Sequence, residues 1–197
     1  MTLLLKLSQL IDWLVERVGK GAFWLVLIMT VISAGNAVIR FAFNYSSNGL
    51  LEIQWYLFAA VFLLCSPYTL QKNEHVRIDV LSGKLSPRGL AVIDIIGTLF
   101  FLLPMVVLVL WLSIPLVAES YKISEMSANA GGLIRWPVKI LLPIGFTLLA
   151  LQGVSELIKR VAFLQGLIGD PNAKDKGPSA EEELAAAIAA AKAKEAK

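Results

Sequence analysis

Four stretches of this chain are long and apolar enough to cross a lipid bilayer as helices. Three of them, residues 21–39, 53–71 and 95–118, contain no charged side chain, and the fourth, residues 140–155, is shorter with apolar flanks on both sides. A hydrocarbon core about 30 Å thick is crossed by about 20 helical residues. Backbone groups inside that core must bond to each other, which favours helices. The sequence therefore predicts an all-α integral membrane protein with four transmembrane helices.

The predicted spans divide the chain into a membrane domain and a tail. The membrane domain covers residues 1–168, and its spans are residues 22–43, 51–71, 87–118 and 137–160. Ser86 and Pro87 place the start of the third span, because serine is a preferred N-cap and proline a preferred first helical residue. Residues 169–197 are rich in alanine, lysine and glutamate and have few apolar side chains to bury, which indicates a flexible cytoplasmic tail.

Two further segments have the periodicity of amphipathic helices that lie in the membrane interface. In residues 3–18, leucine, isoleucine and valine side chains recur on one stripe, opposite lysine, glutamate and arginine. Gly19 and Gly21 favour a bend between this helix and the first span. The alternative is that the segment is a cytoplasmic extension of the first span. The connection after the second span, residues 71–85, repeats the amphipathic pattern in a shorter form.

The basic residues predict the orientation of the spans. Of the 18 lysines and arginines, fourteen lie in the N-terminal segment, in the connection between the second and third spans, and in the C-terminal segment. The other two connections and their helix ends hold only Arg40, Lys122, Arg135 and Lys139. Cytoplasmic connections carry the excess of positive charge in membrane proteins. Both termini are therefore expected in the cytoplasm.

Several classes of function find no support in the sequence. His75 is the single histidine, whereas a bis-histidine haem of a membrane cytochrome needs paired histidines. Cys65 is the single cysteine, so neither an intrachain disulfide nor a cysteine–histidine zinc cluster is expected. No phosphate-binding glycine loop is present, and the net charge of +3 is too small to indicate a nucleic-acid partner. The chain is not expected to be an enzyme, and no catalytic, cofactor-binding or metal-binding residue is predicted.

A transporter that works alone would need a charged side chain deep within a span. Such a charge costs about 2.5–3.5 kcal/mol at mid-membrane, so it is retained mainly for function. Asp94, about two turns into the third span, is the candidate carboxylate for proton coupling in a self-sufficient four-helix exporter. Asn36 is the deepest strong hydrogen-bonding side chain of the first span, and its expected role is to bridge neighbouring helices.

A set of motifs, taken in order along the chain, resembles one family. The second span and the connection after it contain Glu52, Trp55, Phe58 and the run His75-Val76-Arg77-Ile78-Asp79-Val80-Leu81. The fourth span contains Trp136-Pro137, Leu142-Pro143-Ile144-Gly145-Phe146, Leu148-Leu149 and Gln152. Over about Leu3 to Arg160, this order resembles the small membrane subunit of tripartite ATP-independent periplasmic (TRAP) transporters, the DctQ type.

The resemblance implies a function and a set of partners. In that family a periplasmic solute-binding protein (DctP type) captures a solute, often a carboxylate, and a large membrane subunit (DctM type) moves it inward on a sodium gradient. The small subunit is a fixed scaffold for the large one. The chain is thus expected to be a small permease subunit in the bacterial inner membrane, in contact with both partners and with membrane lipids. An accessory subunit of another membrane complex would keep the scaffold role and change only the partner.

The resemblance and the polar pattern nominate structural and interface residues rather than substrate-binding ones. These candidates are Glu52, His75, Arg77, Asp79, Asp94, Pro143 and Gly145. Glu52 is alternatively a first-turn carboxylate favoured by the helix dipole. The polar residues at positions 75, 77 and 79 form either a solvated segment or a partly buried ion-pair network. Pro143 and Gly145 either bend the fourth span or permit close packing against a neighbour.

The two outer connections are candidates for contact with a docked binding protein, on the basis of their location. They are residues 45–50 and residues 119–135. The charged side chains Glu119, Lys122 and Glu125 of the longer connection are the candidate contacts. The sequence does not specify the transported solute.

Overall fold

The computed structural model describes residues 1–45, 47–73 and 86–171. Within these ranges the chain is helical and contains no strand beyond an isolated bridge. The α-helices are α1 (Thr2–Phe43), α2 (Asn48–Lys72), α3 (Pro87–Gly97), α4 (Leu103–Lys122), α5 (Trp136–Lys139) and α6 (Leu141–Leu164). A π-helical segment, Thr98–Leu102, joins α3 to α4.

In the part of the chain that the structure describes, four helical spans are long and apolar enough to cross a membrane. They are Thr2–Phe43, Asn48–Lys72, Pro87–Lys122 and Trp136–Leu164. The third span consists of α3, the π-helical segment and α4, and the fourth consists of α5 and α6. The predicted all-α membrane fold with four transmembrane helices is confirmed. Ser86 caps the third span, since its hydroxyl accepts a hydrogen bond of 3.2 Å from the Gly89 N–H.

The first span corrects the prediction of a separate N-terminal helix. The helix is not interrupted at Gly19 and Gly21, because α1 runs as one α-helix for 42 residues. Gly19 is a contact point rather than a hinge: a Cβ there would lie 2.7 Å from the Cβ of Tyr68 in α2. The helix is about 63 Å long at 1.5 Å per residue. It therefore extends well beyond a hydrocarbon core of about 30 Å.

The fourth span is the centre of the bundle. Helix α6 packs against α1, α2 and both helices of the third span. Two of its glycines allow this close approach. A Cβ on Gly145 would lie 2.8 Å from the carbonyl oxygen of Leu63 in α2, and a Cβ on Gly153 would lie 2.7 Å from the Leu102 side chain. Gly145 thus lies where the backbones of two spans nearly touch.

Two prolines explain where the spans depart from regular α-helix. Pro143 has no N–H to bond the carbonyl of Lys139, and the fourth span is interrupted at Ile140. Pro104 likewise leaves the Phe100 carbonyl without its α-helical donor. The π-helical segment lies directly before this proline, as is usual where a helix accommodates such a defect.

The third span is longer than the sequence predicts, and this corrects the placement of two candidate residues. Glu119 and Lys122 lie in the last turn of α4, not in a connection. This turn is held by packing: Ser120 is buried, and the Tyr121 ring meets the Trp136 ring edge to face, with 5.5 Å between the centroids. The connection to the fourth span is thereby shortened to residues 123–135.

Candidate functional site

The polar contacts of the bundle fall at its two ends. We call the end that carries residues 123–135 the loop end, and the end that carries the N-terminus the terminal end. At the loop end, Glu52 of α2 is 4% exposed. Its carboxylate accepts hydrogen bonds from the Leu133 N–H at 2.7 Å, from the Asn129 amide at 2.8 Å and from the Ser127 hydroxyl. All three donors belong to the loop, so Glu52 binds the loop in addition to any interaction with its helix dipole.

The loop is folded around this carboxylate. An isolated antiparallel bridge pairs Met126 with Ile134, so the loop returns on itself. Gly132 lies inside the turn, where a Cβ would approach the Ser127 Cβ to 2.5 Å and the nearer Glu52 oxygen to 2.9 Å. Only glycine fits at that position without displacing the carboxylate. The turn of the loop is therefore matched in shape and in hydrogen bonding to Glu52.

Three side chains of α2 hold the loop together. The Asn48 amide donates a hydrogen bond of 2.9 Å to the carbonyl of Ala130, and the Tyr56 hydroxyl donates one of 3.2 Å to the carbonyl of Ile134. Asn48, Glu52 and Tyr56 are four residues apart, so they lie on one face of the helix. We call these three residues the loop clamp. Their spacing is visible in the sequence, but the loop that they bind is not.

The three predicted binding-protein contacts have different environments. Glu119 and Lys122 are exposed in the last turn of α4. Glu125 instead forms a partly buried ion pair with Lys139 of α5. The hydrogen bond from the Lys139 ammonium holds the pKa of Glu125 below its ordinary value. The structure therefore leaves two of the three side chains available and engages the third within the protein.

At the terminal end, Asp12 of α1 is bound by the polar face of α6. Its carboxylate accepts hydrogen bonds from the Ser155 hydroxyl at 2.7 Å and from the Gln152 amide at 2.9 Å. The Lys159 ammonium lies 3.1 Å from the other carboxylate oxygen. The hydroxyls of Ser8 and Ser155 are 2.7 Å apart and form a further hydrogen bond between the two helices. Five side chains thus join α1 to α6 at this end.

The same face of α6 also pairs with the third span. Arg160 is buried, and its Nε lies 3.4 Å from a carboxylate oxygen of Asp94. Glu156 lies 2.6 Å from the Lys159 ammonium and 3.7 Å from the Arg160 guanidinium. Asp94, the candidate coupling carboxylate, therefore has a cation beside it. We call this set of side chains the terminal cluster; its members are Ser8, Asp12, Asp94, Gln152, Ser155, Glu156, Lys159 and Arg160.

Sequence reasoning placed Asp94 among the candidates but missed most of the terminal cluster. The missed residues are Ser8, Asp12, Ser155, Glu156, Lys159 and Arg160. A signal was present in the polar positions 152, 155, 156, 159 and 160, which recur at the helical spacing along an otherwise apolar span. The basic pair at its end was interpreted only as a marker of orientation.

Three of the predicted candidates are not placed by the structure. His75, Arg77 and Asp79 lie outside the described residues, as does the predicted tail beyond residue 171. Within the described ranges, no group of three or more histidine, cysteine, aspartate or glutamate side chains is placed to hold a metal ion.

Comparisons with known proteins agree with the order of motifs in the sequence. The family model described as "Tripartite ATP-independent periplasmic transporters, DctQ component" matches residues 9–163. A protein of Haemophilus influenzae with the provisional name TRAP transporter small permease protein is 30% identical over 79 residues. The aligned part is 40% of this chain and 49% of that relative, so the chain covers about half the length of the curated relative. No solved structure matches the chain.

Replacing Glu52 with alanine is expected to loosen the loop without unfolding the bundle. Hydrogen bonds to a charged acceptor contribute about 1.5–3 kcal/mol, so the free energy of local opening should fall by about this amount. Exchange of the Leu133 amide with deuterium should then become about 10- to 100-fold faster. Glu119→Ala, which removes an exposed carboxylate near the same loop, is the matched control. Unchanged protection of Leu133 in Glu52→Ala would contradict the clamp.

Replacing Asp12 with alanine is expected to destabilise the bundle. The change leaves Ser155, Gln152 and Lys159 without their shared acceptor, and the free energy of unfolding in detergent should fall by about 2–3 kcal/mol. The control is Glu16→Ala, one turn further along α1, whose exposed pair with Lys20 should contribute at most about 0.5 kcal/mol. Equal effects of the two substitutions would show that the terminal cluster does not hold α1 to α6.

Proposed function

Because the chain belongs to the DctQ component family of tripartite ATP-independent periplasmic (TRAP) transporters, we propose how it acts as their small subunit. The proposal is that it scaffolds the large membrane subunit, of the DctM type, during sodium-driven uptake of a solute delivered by a binding protein of the DctP type. The transported solute is proposed to be a carboxylate. The family is a transporter component family rather than an enzyme family, so the chain itself carries out no chemical step in this proposal.

The scaffold role is supported by the ion pairs that the charged groups of the third and fourth spans form with each other. Asp94 lies beside Arg160, and Arg160 also lies beside Glu156. Arg160 is buried, and its ion pair with Asp94 ties the third span to the fourth. This use supports a fixed subunit over a self-sufficient exporter.

The proposed location is the bacterial inner membrane, with both termini in the cytoplasm. The support is the distribution of basic residues, of which fourteen of 18 lie in the termini and in the connection between the second and third spans. In this orientation the loop end faces the periplasm, and the terminal cluster lies at the cytoplasmic side.

Co-purification tests the scaffold role. The chain should be co-expressed with a large subunit of the DctM type from the same organism and purified in mild detergent. We expect the two to be recovered in equal amounts, and we expect Asp94→Asn to leave uptake per assembled complex unchanged. An exporter would instead be recovered alone and would lose transport in Asp94→Asn. Recovery with a different membrane complex would keep the scaffold role and change the partner.

The loop end is proposed to contact the docked binding protein. Its loop is fixed by the loop clamp, and Glu119 and Lys122 are exposed beside it. Glu125 is engaged with Lys139, so its proposed contribution is to fix the loop. A preformed loop supports docking because it loses little conformational freedom on binding.

Charge reversal tests this contact in proteoliposomes that contain both membrane subunits. Glu119→Lys and Lys122→Glu are expected to raise the half-saturating concentration of binding protein about 3- to 10-fold, because rim charges act mainly on the association rate. The maximal uptake rate should not change. Arg88→Glu, an exposed charge at the other end of the bundle, is the control. Uptake that is unaffected by the loop-end reversals at limiting binding protein would refute the contact.

A further inference from the structure

Three cationic side chains meet at the terminal end, where α1 packs against α2. They are Arg17 and Lys20 of α1 and Lys72 of α2, and we call them the basic patch. The two helices are in close contact at this level, because a Cβ on Gly19 would lie 2.7 Å from the Cβ of Tyr68. Lys20 follows Gly19 directly, and Lys72 lies one helical turn beyond Tyr68. Cations of two different spans are therefore brought together by the packing of the bundle.

The basic patch lies where the apolar part of both helices ends. Residues 21–39 of α1 and residues 53–71 of α2 contain no charged side chain, so Lys20 and Lys72 are the first charges beyond these stretches at the terminal end. Long cationic side chains at such a boundary keep their stems on apolar surface and extend their charge toward the lipid headgroups. The basic patch is thus at the depth of the headgroup phosphates.

The basic patch carries more positive charge than its surroundings neutralise. The Lys20 ammonium lies 2.6 Å from a carboxylate oxygen of Glu16, and Arg17 and Lys72 interact with the same carboxylate at longer range. Among the described residues, neither Arg17 nor Lys72 forms an ion pair of its own. Three cations against one carboxylate leave an excess of positive charge. This charge is accessible, since the Lys20 side chain is 61% exposed and Arg17 is also exposed.

Aromatic rings accompany two of the three cations. The Arg17 guanidinium lies 5.3 Å from the centroid of the Trp13 ring, and the Lys72 ammonium lies 5.8 Å from the centroid of the Tyr68 ring. Tryptophan and tyrosine are the side chains that are enriched where a membrane meets water. A cation held over such a ring has fewer conformations to lose when it binds an anion.

An exposed apolar stripe continues from the basic patch toward the middle of the membrane. Trp24 and Leu27 lie four and seven residues after Lys20, so the three side chains share one face of α1. Trp24 is 68% exposed, and Leu27 is exposed as well. Exposed cations at one end and exposed apolar side chains along the same face fit an amphiphile with an anionic head.

The charge of this surface decides between its possible occupants. A second copy of the chain that paired through the same face would bring cations against cations, which is unfavourable. A zwitterionic phospholipid carries an ammonium beside its phosphate, and the excess positive charge repels that group. An anionic phospholipid carries a phosphate without a compensating cation, and its acyl chains match the apolar stripe.

We propose that the basic patch and the apolar stripe bind one anionic phospholipid. Its phosphate lies among Arg17, Lys20 and Lys72, and one acyl chain lies along Trp24 and Leu27. A lipid held in this way contacts both α1 and α2 and stabilises their junction. The site goes beyond the proposed scaffold function and does not depend on it, because every residue that forms the site belongs to this chain.

Native mass spectrometry of the full chain in a neutral detergent tests the site. Dioleoylphosphatidylglycerol is expected to bind more tightly than dioleoylphosphatidylcholine. The double substitution Lys20→Gln and Lys72→Gln should weaken binding of phosphatidylglycerol about 25-fold, at about 5-fold for each cation. The control is the double substitution Arg40→Gln and Arg88→Gln, which removes the same charge from exposed positions outside the basic patch. The control should bind phosphatidylglycerol as the unsubstituted chain does.

Three results of this experiment would overturn the proposal. Equal weakening in the two double variants would show that total charge, rather than the basic patch, attracts the lipid. Equal affinity for the two lipids would show that the site does not select an anionic headgroup. Displacement of phosphatidylglycerol by millimolar inorganic phosphate would show that the basic patch is a site for soluble anions.

Fluorescence locates the lipid without changing any cation. The chain has five tryptophans, and two forms are prepared in which Trp24 or Trp111 is kept and the others are replaced by phenylalanine. Trp111 is exposed on the third span, away from the basic patch. In phosphatidylcholine nanodiscs, a small fraction of phosphatidylglycerol with brominated acyl chains should quench Trp24 more than the same fraction of brominated phosphatidylcholine. Trp111 should be quenched equally by the two lipids.

The same measurement separates a lipid from a protein occupant. Equal quenching of Trp24 by the two brominated lipids would mean that no anionic lipid is concentrated at the apolar stripe, and the proposal would be wrong. Loss of the preference at Trp24 when the large membrane subunit is bound would mean that this subunit covers the surface in the complex, which also overturns the proposal. A preference that persists in the complex supports the lipid site.

Discussion

A bilayer removes much of the force that packs soluble proteins, because an apolar side chain gains little when it leaves lipid for a neighbouring helix. Polar contacts and close backbone approach must then decide how the helices are arranged. In this chain both are concentrated on α6. Gln152 and Ser155 bind Asp12 of α1, and Arg160 pairs with Asp94 of the third span. Helix α6 packs against each of the other three spans, and many large apolar side chains of the described residues remain exposed toward the surroundings of the bundle.

The parts of the fold that could be predicted are those that depend on local sequence. Hydropathy located the four spans, and Ser86 with Pro87 located the start of the third, because insertion and capping are properties of a few neighbouring residues. The continuity of α1 could not be predicted in the same way. In a sequence, a glycine is equally consistent with a hinge and with a close contact between helices. Gly19 makes a close contact because it packs against Tyr68, which lies far along the chain. Glu52 poses the same difficulty, since its three donors lie 75 to 81 residues away.

The polar groups of the spans separate into two kinds. Glu52 and Asp12 each receive several donors from within the chain, so these sites need nothing further and serve to fix the fold. The side-chain oxygens of Asn36, Gln71 and Gln152 are also buried, but they have no donor. The same distinction explains why a list of polar residues in the spans does not identify an interface until their partners are known.

The unbroken course of α1 has a consequence for how this protein can change over evolution. One continuous helix carries both Asp12, which meets α6, and Gly19, which meets Tyr68 of α2. Each inserted or deleted residue between them would turn one site about 100° relative to the other and shift it by 1.5 Å. The two contacts therefore share a fixed register, and the spacing of seven residues between Asp12 and Gly19 is as constrained as the residues themselves. Substitutions can accumulate along the exposed faces of the helix, but its length between these two residues cannot vary.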